Sequence, residues 1–202
     1  WPMLLLGRPL VRDDAALFVY PMYKAMAECL RSGHLYLWDP AQYCGLPAFA
    51  AGQTGLLYPP HLLLFRCLPW MAALHVSYWL HLSLALLAFV WVGRNLGLRW
   101  AAAFTGAVVY VFSGYTAAHL VHYNFITMVA HVPLLVAVLQ TALRRNQWRW
   151  WGLLGLEIAL AYLCGHPQIF LMGLTAGLLW LVAGQWVGAA GGGRRGAAQR
   201  LP

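Results

Sequence analysis

The fold is decided by the stretch CLPWMAALHVSYWLHLSLALLAFVWVG at residues 67–93, which contains no Asp, Glu, Lys or Arg. Residues 100–143 are equally free of formal charge, and residues 150–193 contain only Glu157. A helix needs about 20 apolar residues to cross a bilayer. Each of these stretches is therefore long enough for one span or for two, and the chain is expected to be a helical membrane protein.

The composition of the whole chain agrees with this interpretation. Of its 202 residues, 62% are hydrophobic and only 9% are charged, whereas about a quarter of the residues in soluble domains carry a charge. The same composition excludes a disordered chain. Thirteen basic residues against five acidic ones give a formal charge of +8, which in a soluble protein would suggest a nucleic acid as partner.

Two polar breaks divide the longer stretches. The polar motif HLVHYN at 119–124 separates two helices. GHPQ at 165–168 separates two more, because its Gly and Pro interrupt a helix. Residues 71–188 are thus predicted to form an all-α, polytopic bundle, and 189–202 a cytoplasmic tail rich in Gly and Arg. The bundle has about five predicted membrane-spanning helices, at 72–93, 100–118, 125–143, 150–164 and 168–187.

The arginines indicate how these helices cross the bilayer. Eight of the thirteen basic residues follow the first, third and fifth predicted helices, and they are Arg94, Arg99, Arg144, Arg145, Arg149, Arg194, Arg195 and Arg200. Basic residues concentrate in cytoplasmic loops, so these helix ends are predicted to face the cytoplasm. The protein itself is predicted to lie in the cytoplasmic membrane. Much of the basic charge is then a signal of topology, and a nucleic acid is no longer expected as a partner.

Residues 1–70 are expected to form a long external loop region with juxtamembrane helices. PMYKAMAECLRSG at 21–33 begins with Pro and ends with Gly, which are helix start and stop signals. The following stretch at 34–65 is dense in Pro, Gly and aromatic residues, and it is expected to lie along the membrane surface as irregular loop and short helix. Asp13 and Asp14 precede the loop helix, where they could be its N-cap, solvated residues of the loop or functional carboxylates.

Polar side chains from three loops are predicted to meet on the external face. Asp13 and Asp14 come from the first loop, and they are joined by His119, His122 and His166. A carboxylate with imidazoles can supply a general base and hydrogen-bond donors to a phosphate or a sugar hydroxyl. The alternative for these histidines is a role as anchors at the membrane interface.

Other polar residues lie inside the predicted spans. Glu157 indicates either a functional group or a hydrogen bond to a neighbouring helix. His75, His81 and His131 are expected to be interfacial anchors or to form hydrogen bonds between helices. Gly173 and Gly177 form a GxxxG pattern, which permits close helix approach.

The cysteines show no spacing typical of a metal site. No structural zinc site is therefore expected. Cys29 and Cys44 could form a disulfide if they face an oxidising compartment, and the alternative is that all four cysteines are buried free thiols. The four are Cys29, Cys44, Cys67 and Cys164.

The order of short motifs along the chain resembles one family. They are RDD with YP (12–14 and 20–21), LRSGHLYLWDPAQYCGLPAFA (30–50), YPPHLLLF (58–65), RNLGLRWAA (94–102), FSGY (112–115), HLVHYN (119–124), VPLL (132–135) and GHPQ (165–168). Together they resemble the bacterial YfhO-type membrane proteins, which are multi-spanning glycosyltransferases of GT-C architecture. Family members are longer, so the resemblance implies an N-terminal fragment, and Asp39 stands where the family more often has Asn.

This resemblance implies an enzyme that takes a sugar from a polyprenyl-phosphate carrier and transfers it to an envelope polymer or lipid acceptor. An aspartate of the first external loop would be the general base. Asp14 fits that position best, and Asp13 is the neighbouring alternative. Neither a metal nor another cofactor is expected. Candidates for contact with the substrate or its phosphate are Arg12, Lys24, Arg31, His119, His122, His166 and Gln168.

Two other functions compete with this interpretation. A transporter or a flippase-like protein that binds lipid headgroups would use Glu157 and the histidines of the spans to relay protons or to bind a polar group. The sequence shows no internal symmetry of the kind that transporters often have. The other alternative is a fragment without catalytic activity.

Overall fold

A computed structural model of the chain describes residues 14–42, 44–50 and 52–191. These residues are mainly helical, and the extended pairing among them is an isolated bridge between Asp39 and Leu46. A π-helical turn at Ala15–Val19 comes first, and a 3₁₀ turn lies at His119–Val121. The α-helices are α1 (Tyr20–Arg31), α2 (Pro59–Cys67), α3 (Trp70–Asn95), α4 (Trp100–Val111), α5 (Gly114–Ala118), α6 (Tyr123–Arg145), α7 (Trp148–Leu163) and α8 (Pro167–Gly191).

Three helical segments in the described part of the chain are long and apolar enough to cross a membrane. They are α3, α6 and the segment Trp100–Val121, which consists of α4, α5 and the 3₁₀ turn. The predicted all-α bundle with apolar spans is therefore confirmed, whereas the count of about five spans is not. Helix α7 has 16 residues, or about 24 Å of helix, which is less than the ~30 Å of a hydrocarbon core.

The predicted helix bounds agree with the structure to within a few residues, with one exception. The helix predicted at 100–118 is interrupted at Phe112 and Ser113. The hydroxyl of Ser113 accepts the amide hydrogen of Thr116 at 3.2 Å, so it caps a new helix, α5. The loop helix begins at Tyr20 with Pro21 in its first turn, and it ends before Gly33, as the start and stop signals predict.

Helix α6 is the centre of the bundle. It packs against α3, α7 and α8, and α4 packs on α3. In its most apolar window 72% of the residues are buried, compared with 39% for α3. Side chains of α6 therefore meet groups from most of the other helices, and its polar residues need partners within the protein.

Pro133 illustrates this requirement within α6. Proline lacks an amide hydrogen, so the carbonyl of Val129 one turn earlier loses its helical donor. The hydroxyl of Tyr110 in α4 donates to that carbonyl oxygen at 3.0 Å. A side chain of a neighbouring helix thus replaces the hydrogen bond that the proline removes.

The GxxxG pattern of α8 lies at its contact with α6. A Cβ atom on Gly173 would lie 3.0 Å from Cγ2 of Val132, and one on Gly177 would lie 4.0 Å from Cγ2 of Val136. The absence of side chains on these glycines lets the two helices approach closely.

Part of the segment predicted to lie along the membrane surface is buried against other helices of the protein. Tyr58, His61 and Phe65 are each at most 2% exposed, and His61 and Phe65 pack around the ring of Tyr23 from α1. The short helix expected in this segment is α2, and its buried face packs against other helices. Its aromatic and imidazole rings find stacked neighbours and hydrogen-bond partners there.

Candidate functional site: a carboxylate and histidine cleft

A cleft of about 190 Å³ lies where the π-helical turn meets the loops that flank α6 and α8. Helices α3 and α6 end on the opposite side of the bundle, where Arg144 donates to the carbonyl oxygen of Asn95. The cleft is thus separated from the arginines of 94–99 and 144–149. Its lining consists of Asp14, Phe18, Val19, Met22, Tyr23, Gln53, His122, Asn124, Phe125 and His166.

Asp14 and His122 are in direct contact in this cleft. Oδ2 of Asp14 lies 3.0 Å from Nε2 of His122, and the two side chains are 60% and 35% exposed. Asp14 directly precedes the π-helical turn, but its carboxylate makes no hydrogen bond to that turn. The N-cap alternative is therefore wrong for Asp14, which bonds to an imidazole from a distant part of the chain.

His166 contributes a neutral imidazole to the same cleft. Its Nδ1 accepts the amide hydrogen of Ile169 at 3.2 Å, so His166 caps the start of α8. With Nδ1 as an acceptor, the ring hydrogen is on Nε2. Burial lowers the pKa of His166, and the nearby His122 lowers it further. His166 is thus suited to donate a hydrogen bond rather than to supply a positive charge.

Phe125 holds the imidazoles of the cleft together. Its ring packs edge-on against His166, with centroids 4.2 Å apart, and stacks on His119 at 4.8 Å. His119 does not line the cleft itself. Its Nδ1 donates to the carbonyl oxygen of Tyr115, and its ring centroid lies 5.7 Å from that of His122.

The other predicted contacts for a phosphate lie elsewhere or outside the described residues. Lys24 is 4.0 Å from Glu28 on the exposed side of α1, and Arg31 donates to the carbonyl oxygen of Leu68. Gln168 is exposed and does not line the cleft. Arg12 and Asp13 lie outside the described residues. The residues of the described lining with polar side-chain groups are Asp14, Tyr23, Gln53, His122, Asn124 and His166.

A second polar assembly is buried between the helices. Oε1 of Glu157 in α7 lies 2.7 Å from Nδ1 of His131 in α6. Nε2 of His131 is 3.0 Å from the hydroxyl oxygen of Tyr58, which is also 3.0 Å from Nε2 of His81 in α3. Tyr58, from the segment before α2, thus bridges two helices.

The same network continues from α3 into α2. Nδ1 of His81 lies close to both the hydroxyl and the carbonyl oxygen of Ser77, at 3.1 and 2.7 Å. The Ser77 hydroxyl contacts the hydroxyl of Tyr123, which is 2.9 Å from Nε2 of His61. Nδ1 of His61 then reaches the carbonyl oxygen of Gly55 at 3.1 Å.

Sequence reasoning identified only some members of this network. Hydrogen bonds between helices are one of the two alternatives that the sequence offers for Glu157, His81 and His131. Tyr58 and His61 belong to the segment predicted to lie along the membrane surface, where no such partners are expected. The polar residues inside apolar spans are the signal that reveals such a network. His75 stays apart from it, and its buried Nε2 has no hydrogen-bond partner.

The cysteines form no disulfide. All four are free thiols, and only Cys164 is buried, whereas Cys44 and Cys67 are exposed. The alternative of a Cys29 to Cys44 disulfide is therefore wrong, and so is the burial predicted for the exposed pair. The described residues contain no group of His, Cys, Asp and Glu side chains arranged to hold a metal ion.

Comparisons of this chain with models of protein families, with curated proteins and with solved structures find no match. The resemblance to YfhO-type proteins therefore rests on the quoted motifs.

Proposed function

We propose that this chain belongs to a YfhO-type membrane enzyme that transfers a sugar from a polyprenyl-phosphate carrier to a hydroxyl group of an envelope polymer or lipid. The observation that carries the proposal is the contact between Asp14 and His122 in a cleft on the side of the bundle away from the arginines of 94–99 and 144–149. A partly exposed carboxylate held by an imidazole is suited to remove a proton from a hydroxyl group.

The reaction assigns different roles to the polar groups of the cleft. Asp14 accepts the proton of the acceptor hydroxyl, whose oxygen forms a bond to the anomeric carbon of the donor sugar. The bond from that carbon to the phosphate oxygen breaks, and polyprenyl phosphate leaves with inversion at the carbon. His122 orients the carboxylate of Asp14, and the Nε2 hydrogen of His166 is a donor for the phosphate.

A second cavity, of about 240 Å³, suits the apolar chain of such a donor. It is lined mainly by apolar side chains, among them Phe49, Leu57 and Tyr162. Gln53 lines the carboxylate and histidine cleft, while Gly52 and Thr54 line the second cavity, so the two lie on either side of one short segment. A headgroup in the first and a chain in the second would lie close together.

The proposed arrangement in the membrane has five spans. Helices α7 and α8 would be the fourth and fifth, with the Trp residues at the start of α7 in the headgroup region. The arginines that follow α3, α6 and α8 would face the cytoplasm. The cleft would then face outside the cytoplasmic membrane, where the acceptor polymer or lipid is found.

The experiment compares Asp14→Asn with Glu28→Gln in proteoliposomes supplied with radiolabelled polyprenyl-phosphate hexoses and an envelope extract as acceptor. Both variants remove one exposed carboxylate from the same part of the chain. Asp14→Asn is expected to lower transfer by about 100-fold or more, while Glu28→Gln retains it. Retained transfer by Asp14→Asn, with normal insertion, would overturn the role of this residue.

A transporter or flippase-like protein is the second candidate, and the buried pair of Glu157 and His131 favours it. The variant Glu157→Gln separates the two. If the protein is a transferase, the variant is expected to weaken folding but to retain chemistry in the molecules that fold. Complete inactivation with normal insertion and stability would instead favour proton relay or transport.

A further inference from the structure

Two backbone carbonyls fix the tautomers of two buried histidines. Nδ1 of His81 lies 2.7 Å from the carbonyl oxygen of Ser77, and Nδ1 of His61 lies 3.1 Å from that of Gly55. A carbonyl oxygen can only accept a hydrogen bond, so each Nδ1 carries a hydrogen. In a neutral imidazole the other nitrogen is then an acceptor, and this applies to Nε2 of both rings.

These tautomers determine where the hydroxyl hydrogen of Tyr58 points. Its oxygen lies 3.0 Å from Nε2 of His81, which is an acceptor, so Tyr58 donates its hydrogen there. The hydroxyl has only one hydrogen and therefore presents a lone pair to its other neighbour, Nε2 of His131, also at 3.0 Å. This second contact is a hydrogen bond only if Nε2 of His131 is the donor.

The bond between His131 and Glu157 then requires a proton of its own. Nδ1 of His131 lies 2.7 Å from Oε1 of Glu157. With a hydrogen on Nε2, His131 either accepts from a protonated carboxyl group or carries hydrogens on both nitrogens beside a carboxylate. Both arrangements contain one proton more than a carboxylate and a neutral imidazole.

We propose that Glu157 and His131 form a buried proton-binding site, with the bound proton shared between Oε1 and Nδ1. The pair then has no net charge, which suits its burial, since Glu157 is 4% exposed and His131 is 1% exposed. An unpaired charge at such a place would be costly. The site is independent of the transfer reaction proposed for the cleft.

Few other titratable groups face this pair. His81 lies across Tyr58, with its ring centroid 6.3 Å from that of His131. The thiol of Cys164, at the end of α7, interacts electrostatically with Glu157. Helix α8 packs on α6 and has no titratable residue in its sequence. The proton therefore belongs to Glu157 and His131 rather than to a larger charged cluster.

The bound proton also holds the segment before α2 in place. Without it, the lone pairs of His131 Nε2 and Tyr58 Oη would face each other, and the bridge from α6 to Tyr58 would be lost. Tyr58 follows the segment 52–57, which contributes to the lining of both cavities. Proton occupancy inside the bundle is thus coupled to the position of that segment.

The test is ¹⁵N NMR of the wild-type chain in lipid nanodiscs at neutral pH, with ¹⁵N-labelled histidines and with ¹³C-labelled carbonyls of alanine in one sample and of leucine in another. Only His119 and His131 follow an alanine, and only His75 and His81 follow a leucine. The variants His119→Gln and His75→Gln each remove one of two correlated signals and so assign the others to His131 and His81. Since the ring signals are read in the wild-type chain, no variant of the buried network has to fold.

The expected result is a hydrogen bonded to Nε2 of His131, together with a hydrogen on Nδ1 but not on Nε2 of His81. A bare Nε2 in His131 would overturn the proposal, because the pair would then be an ordinary carboxylate and a neutral imidazole. Hydrogens on both nitrogens of His81 would also overturn it, because the additional proton would then be on another ring.

Discussion

Gly165 touches Gly55 through the backbone. A Cβ atom on Gly165 would lie 2.7 Å from the amide nitrogen of Gly55, and both residues have positive φ angles, of +101° and +57°. Through this contact the loop before α8 packs against the segment 52–57, which lies between the two cavities. It also brings His166 and Gln53, on either side of the contact, into the carboxylate and histidine cleft.

Gly165→Ala is expected to destabilise the protein and to distort the cleft. The added methyl group would clash with backbone, which cannot move aside as a flexible side chain can, and the φ angle disfavours alanine. We expect a loss of more than about 1 kcal/mol in the free energy of unfolding, measured by denaturant titration in bicelles.

Gly155→Ala is the matched control for this prediction. Gly155 lies in α7 with nothing near its missing Cβ, so alanine there is expected to be neutral or stabilising by up to about 1 kcal/mol. Equal stability of Gly165→Ala and the wild type would show that the contact between the two glycines has no energetic role.

Tyr110→Phe is expected to lower stability by about 1 kcal/mol, because it leaves the carbonyl of Val129 without a donor. Pro133→Ala supplies an amide hydrogen to the same carbonyl. The loss caused by Tyr110→Phe should therefore be smaller when Pro133→Ala is present, which a double-mutant cycle measures. Tyr162→Phe is the control at an exposed tyrosine. If the losses caused by Tyr110→Phe and Pro133→Ala were strictly additive, this interpretation would be contradicted.

The helices of the bundle could be predicted from the sequence because each depends on a local property. Stretches with little or no charge indicate α3, α6, α7 and α8, and the breaks at 119–124 and 165–168 separate them. The break at Phe112 and Ser113 was missed, because the apolar pattern continues through it and only the hydroxyl of Ser113 marks the new helix.

The candidate site was predictable to the extent that topology alone determines it. Alternating helices bring the loops at 119–124 and 164–166 to one side of the bundle, and His122 and His166 follow from that. The contacts of Lys24 and Arg31 could not be predicted, because they depend on which face of α1 packs inward. The bridge by Tyr58 between His81 and His131 was equally inaccessible, since it depends on a segment that enters the bundle from a region with no helical periodicity.

The stability of the protein is expected to fall as the pH decreases below about 6.5, because of His61. Burial, with the nearby His81 ring adding to it, lowers the pKa of His61 from 6.5 to about 3. Between pH 3 and pH 6.5 the unfolded chain binds a proton at His61 that the native imidazole does not bind. The contribution of His61 to stability is therefore fully present above pH 6.5 and is lost as the pH falls toward 3. Within this range the free energy of unfolding is expected to fall by about 1.4 kcal/mol for each pH unit because of this one group.

The measurement for His61 is the free energy of unfolding against pH for the wild type and His61→Gln. The variant cannot bind the proton in either state, so its curve should be flatter by the slope of one proton across this range. Parallel curves would mean that His61 takes up its proton equally in the native and unfolded chains.

Gly173→Ala is expected to weaken the contact between α6 and α8 more than Gly177→Ala does. The new methyl group at position 173 would lie 3.0 Å from Cγ2 of Val132, which is tighter than ordinary contact, whereas at position 177 the distance to Val136 is an ordinary 4.0 Å. Overpacking of this kind costs about 1–3 kcal/mol. Val132→Ala removes the methyl group that would clash, so it should recover part of the loss when combined with Gly173→Ala. Unfolding in bicelles measures the four free energies of this cycle, and equal losses for the two glycine variants would contradict the close approach at Gly173.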